Sequence, residues 1–136
     1  LDGILLVDTH GTQISRNNFT SNTGYPFEQI SGGIVMMHGS SNNTIILNNI
    51  AFNEQGIVGI YGSNNTINLN NITNSKMWGI CLYGFSNSNV SSNNLTNNDS
   101  GIDLEGSEIT ISFNIIANGG KIWLDYWWVN QQYNLK

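Results

Sequence analysis

Asp103 and Glu105 lie two positions apart on one segment, with Glu108 three residues on and Asp125 a further repeat later. Residues i and i+2 of a strand project from the same face, so the first two acids share an outward side. Asp125 is expected to lie one coil beyond Glu105. A carboxyl pair about 5 to 9 Å apart is what glycoside hydrolysis uses. Outward acids on a strand are more commonly plain solvated surface. The reading therefore assigns no catalytic residue, and keeps Asp103, Glu105 and Asp125 for an alternative: a polysaccharide lyase or glycoside hydrolase with an acidic site on one face. Arg16, Lys76, Lys121 and Lys136 are scattered, which is poor material for an acidic substrate.

Three of the four tryptophans, Trp123, Trp127 and Trp128, fall within six residues, beside Tyr126 and Tyr133. Aromatic faces are natural platforms for sugar rings. The competing role is a cap over the open end of a repeat stack. Tyr25 and Phe27, in a segment without strand alternation that also holds the only proline, form a second binding candidate or pack back on the body. His10, His38, Met36, Met37 and Met77 offer metal-binding atoms, yet no His-x-x-x-His or Cys/His set exists and Cys81 is the only cysteine. No metal and no cofactor are expected, and Met37 is expected as core filler. Asn-x-Ser/Thr sequons occur at Asn18, Asn42, Asn64, Asn71, Asn89, Asn94 and Asn98, all at or near expected corners.

The elements that position these residues come from a repeat. Ile-x-x-Asn-x-apolar recurs at Ile14, Ile45, Ile67, Val90 and Ile111, with Asn17, Asn48, Asn70, Asn93 and Asn114 as its fourth position. An apolar-x-apolar pair precedes each copy: Ile4/Leu6, Val35/Met37, Val58/Ile60, Ile80/Leu82 and Ile102/Leu104, with Ile122/Leu124 last. Both patterns repeat every ~22 residues and share one insertion, at about residues 21–33. No copy can bury a core alone, so copies stack. The two expected inward columns run through Ile14, Ile45, Ile67, Val90 and Ile111, and through Leu6, Met37, Ile60, Leu82, Leu104 and Leu124. The fourth-position asparagines are expected to tolerate left-handed corners and to pass amide hydrogen bonds from coil to coil. A looser column holds Asn22, Asn53, Asn74, Asn97 and Asn118. Gly62, Gly84 and Gly106 mark another corner, with Gly39 at the matching offset.

Composition agrees. The chain has 136 residues, of which 24 are Asn and 18 are Ile, against 4 Lys+Arg and 9 Asp+Glu. Asparagine and β-branched residues are poor helix formers. A net charge of −5 argues against nucleic-acid partners, and no apolar run is long enough to cross a bilayer.

Gly79-Ile80-Cys81-Leu82 and Gly101-Ile102-Asp103-Leu104, following Ile-x-x-Asn-x-Ile, resemble the right-handed parallel β-helix repeat family. The nearest likeness is to its NosD-like, carbohydrate-binding and sugar-hydrolase modules, as in archaeal surface proteins. The likeness covers roughly residues 1–125 and implies the fold; that family holds enzymes, binding modules and scaffolds alike. NosD-like proteins are linked with copper-enzyme maturation, but pairing Ile4 with Val35 does not place His10 over His38. The expectation is an all-β, single-domain, right-handed parallel β-helix of about six rungs. Residues 126–136 are expected to form an aromatic cap or inter-subunit contact segment. The expected role is a non-catalytic structural module of a secreted or cell-surface protein, in an extracellular assembly and in contact with glycans. Its partners would be further copies, joined head to tail through the solenoid ends, with no nucleic acid and no membrane insertion.

Overall fold

The computed structural model describes residues 2–24, 30–119, 121–125 and 134–135. The first coil runs through β1 (Ile4–Val7), β2 (Gln13–Ser15) and β3 (Asn18–Thr20). The second holds β4 (Ile34–Met37), β5 (Thr44–Ile46) and β6 (Asn49–Ala51). The third holds β7 (Ile57–Ile60), β8 (Thr66–Asn68) and β9 (Asn71–Thr73). Then come β10 (Trp78–Ser86), β11 (Asn89–Ser91) and β12 (Asn94–Thr96). The fifth holds β13 (Ser100–Ser107), β14 (Thr110–Ser112) and β15 (Ile115–Ala117), and a sixth contributes β16 (Ile122–Asp125) and β17 (Asn134–Leu135). Every pairing is parallel, in one sheet of order β1-β4-β7-β10-β13-β16, a second of order β2-β5-β8-β11-β14-β17 and a third of order β3-β6-β9-β12-β15. The described residues contain no helix. The parallel all-β solenoid expected from the repeat is what the chain forms.

Most three-residue strands read polar–apolar–polar, β5, β6 and β15 excepted, and the central side chain points inward. Ile14, Ile45, Ile67, Val90 and Ile111 make one buried column, and Phe19, Ile50, Ile72 and Leu95 make another. The first-sheet column needs correction. Leu6 pairs with Met36, Met36 with Gly59, and Leu82 with Gly59, so the inward line is Leu6, Met36, Gly59, Leu82, Leu104 and Leu124. Met37 and Ile60 stand one residue on, which turns them to the outer face, where they are half-buried. Ile4 likewise pairs with Ile34 rather than Val35. The gap over Gly59 is filled from the next coil by the buried Phe85 ring, which a Cβ on Gly59 would strike. Gly62 is closed in as well, since a Cβ there would come within 2.6 Å of the Ser40 carbonyl oxygen and 2.9 Å of that ring.

The corners explain the asparagine content, although not in the expected way. Among the described residues seventeen non-glycine residues have positive φ, and those between the second and third sheets are Arg16, Leu47, Leu69, Ser92 and Phe113. The fourth-position asparagines are therefore not the left-handed residues; they follow them, turned inward. Asn17, Asn48, Asn70, Asn93 and Asn114 form a ladder in which each Oδ1 accepts from the backbone N and Nδ2 of the asparagine one coil before. The looser column splits in two. Asn74, Asn97 and Asn118 are left-handed, whereas Asn22, Asn53, Ser75 and Asn98 form a second inward ladder. A third passes from Asn43 through Asn65 to Ser88.

Ser75 interrupts its ladder, and its buried hydroxyl oxygen has no hydrogen-bond partner among the described residues. Ser75→Asn places an amide between Asn53 and Asn98. A completed buried hydrogen bond contributes about 1 kcal/mol. The expected outcome is a higher urea midpoint with unchanged m-value, read by circular dichroism; a lower midpoint would show that the position cannot hold an amide.

Candidate functional site

Side chains on the outer face of the first sheet stack across coils, spaced ~4.8 Å apart by strand pairing. One row runs Leu5, Val35, Val58, Cys81, Asp103 and Trp123. The row two residues on contains Ile60, Tyr83, Glu105 and Asp125. Asp103 and Glu105 are thus neighbours on β13, about 6.8 Å apart along the strand, and both are half-buried. Asp125 pairs with Glu105 in the backbone register, one coil beyond it as the repeat implied.

Two clefts border this acid pair, one at each end. The first, of about 320 Å³, is lined by Tyr61, Tyr83, Ser86, Glu105 and Ser107. Tyr61 and Tyr83 meet edge to face, with ring centroids 5.9 Å apart and planes at 79°. This cleft owes its shape to a bulge in β10. The register slips between Tyr83 and Phe85, and Gly84 takes a φ of 64° beneath the Tyr61 ring. Any Cβ on Gly84 would come within 2.5 Å of that ring. The second cleft, of about 360 Å³, is lined by Trp78, Ser100, Asp103, Trp123 and Leu124. Lys121 places Nζ 5.7 Å from the centroid of the Trp123 ring. Both charged residues lining the clefts are negative.

Cys81 lies one coil before Asp103 on the same row. Burial, and secondarily the neighbouring Asp103 carboxylate, push its thiol up to about 12. It remains a protonated, weakly reactive group across the physiological range.

Of the sequence candidates, the structure brings Asp103, Glu105 and Trp123 to one face. Tyr25, Phe27, Tyr126, Trp127, Trp128 and Tyr133 lie outside the described residues, as does the Asp125 side chain. His10 pairs with Ser41, not His38, and its Nε2 is 3.3 Å from Asp8 Oδ1. Among the described residues no three His, Cys, Asp or Glu form a group able to hold a metal ion. Asn18, Asn42, Asn64, Asn71, Asn89 and Asn94 are exposed, whereas Asn98 is buried. The reading from sequence missed Tyr61, Trp78 and Tyr83. Tyr83 had a signal in its position, since it follows the inward Leu82 on the opposite alternation, whereas Trp78 shares the parity of Ile80 and Leu82 and no local motif marks it.

The sequence profile of the family described as right-handed beta helix region matches residues 2–127. No curated protein matches. No solved structure matches.

Proposed function

Because this chain belongs to the right-handed β-helix family, we propose that it is a non-catalytic solenoid module of a secreted or cell-surface protein, holding neutral glycans against its first sheet. One observation carries the reading: aromatic rings stand at both ends of the Asp103–Glu105 pair, in clefts lined by Trp78 and Trp123 on one side and Tyr61 and Tyr83 on the other. Aromatic faces bury the C–H faces of sugars, while the carboxylates accept hydrogen bonds from hydroxyl groups. Two acids without a cation in the lining repel uronates and sulfated chains. A neutral or N-acetylated oligosaccharide long enough to cross the acid pair is the ligand class that fits.

Isothermal titration against neutral, N-acetylated and uronate oligosaccharides tests this. Binding of a neutral chain is expected to fall at least tenfold in Trp123→Ala and in Tyr83→Ala, in keeping with ~1.4 kcal/mol or more for each lost stacking surface. Affinity unchanged from the native chain in both variants, or tighter binding of uronates, would overturn the proposal.

The spacing of Asp103 and Glu105 along β13 favours a second reading, since about 6.8 Å lies within the range glycoside hydrolases use. Sugar release from a polysaccharide panel, abolished by Asp103→Asn with Glu105→Gln, would replace the binding module with an enzyme. The expected result is no release from either protein.

A further inference from the structure

The second and third sheets differ from the first in charge. Their three-residue strands each flank the inward residue with two others, from Gln13 and Ser15 in β2 to Ile115 and Ala117 in β15. Across the ten strands β2, β3, β5, β6, β8, β9, β11, β12, β14 and β15, none of these flanking residues is charged. The ridge between the two sheets carries Leu47, Leu69 and Phe113, all exposed, with Arg16 as its one charged residue. Soluble surfaces generally carry about a quarter to a third charged residues. An uncharged, flat surface with an apolar ridge calls for another source of hydration.

The accessible sequons all lie on this side. Asn18, Asn71 and Asn94 are on the third sheet and Asn89 is on the second. Asn42 and Asn64 occupy stacked left-handed corners leading into the second sheet. None lies on the outer face of the first sheet. The atom that would carry a sugar, Nδ2, is differently committed among them. Asn71 Nδ2 donates to Asn49 Oδ1 at 2.9 Å, and Asn94 Nδ2 donates to Asn71 Oδ1 at 2.9 Å, as parts of an outer ladder. Asn98 Nδ2 is buried and donates to the Ile72 carbonyl oxygen at 3.0 Å. Asn18 ends the outer ladder as an acceptor only, through Oδ1. Asn64 Nδ2 has only an exposed 3.4 Å bond to the adjacent Ser63 hydroxyl. Asn42 and Asn89 are exposed outside any ladder.

On the extracytoplasmic reading above, we infer that N-linked oligosaccharides attach at Asn18, Asn42, Asn64 and Asn89 and not at Asn71, Asn94 or Asn98. The sugar coat then covers the uncharged sheets and leaves the first-sheet groove bare. Attachment joins Nδ2 to the anomeric carbon of an oligosaccharide carried on a lipid pyrophosphate. The carbon–oxygen bond to the carrier breaks, the pyrophosphate leaves with that electron pair, and the amide gives one proton to the transferase. At the four assigned sites this breaks no inward ladder bond. At Asn71 and Asn94 it leaves Nδ2 a single hydrogen, which the outer ladder already uses, with the sugar crowded against the stacked Asn49 or Asn71 side chain, and at Asn98 it would need the sugar inside the core.

The test is secretion of the full chain from a glycosylating eukaryotic host, followed by glycopeptide mass spectrometry of the protease-resistant, β-rich product. Glycopeptides are expected at the four assigned asparagines. Each single Asn→Gln change there should remove one glycan's mass without altering secretion. A secreted chain with no glycan, or a folded chain glycosylated at Asn71, Asn94 or Asn98, would overturn the inference. The masses are read without any sugar-binding assay, so failure of the groove proposal is scored separately, on enzymatically deglycosylated chain.

Discussion

Asn70→Leu is expected to destabilise the chain by about 4 kcal/mol, although leucine is similar in size and more apolar. Asn70 is 1% exposed, and its amide joins three coils. Its Oδ1 accepts from Asn48 N and Asn48 Nδ2, each at 3.0 Å. Its Nδ2 donates to the Ile45 carbonyl oxygen at 2.9 Å and to Asn93 Oδ1 at 3.0 Å. Leucine leaves the buried Asn48 N–H and the Ile45 C=O, both on the preceding coil, without their side-chain partner. Each such group costs roughly 1–3 kcal/mol. Domains of this size are stable by only about 5–15 kcal/mol, so much of the folded population would be lost near physiological temperature. Urea unfolding followed by circular dichroism measures it. Asn49→Leu, on the exposed outer ladder, is the comparison and should cost well under half as much. Equal losses at the two positions would mean that the inward ladder contributes no more than a surface one.

Ile80→Asp is the second large effect. Ile80 is fully buried between Ile57 and Ile102, in a column that also holds Ile34. A carboxylate there is shut off from solvent with no cation within the described core, and an unpaired buried charge costs several kcal/mol. The variant should lack β-sheet circular dichroism at pH 7, whereas Ile80→Val should lose only about 1 kcal/mol. A folded Ile80→Asp chain with an unchanged midpoint would place this side chain outside the core and undo the assigned register.

The second-sheet column was legible because its pattern is local: Ile-x-x-Asn puts one apolar residue between two polar ones in every coil but the second, where Ile46 follows Ile45, and the stacked copies fix the alternation. The first sheet was harder. Val35 and Val58 are buried although they stand on the outer row, so apolar residues fall on both alternations and hydrophobicity cannot choose between them. The inward residue at that level is Gly59, whose space is taken by Phe85 from another coil. Such a long-range exchange of volume has no signature within one repeat. The left-handed corners also resisted reading, because Leu47, Leu69 and Phe113 give no sign of positive φ. Their conformation is imposed by the inward asparagine that follows each of them. The groove went half-seen for a related reason. The breaks in the period lie elsewhere in the chain, whereas Tyr61, Trp78, Tyr83 and Asp103 belong to regular coils and meet only through stacking.

The parallel register also decides how the chain would behave under tension. Asn49 and Asn71 are stacked partners 22 residues apart. Drawn out from one end, a coil of that length would pay out roughly 70 Å of extended chain, at about 3.3 Å per residue, before the next took the load. Each release breaks three short ladders and one step of each asparagine line together, while the remaining coils keep their own pairing. Stretching would therefore proceed in discrete steps of one coil, and the molecule would act as a spool that lengthens many-fold while its unspent coils stay wound.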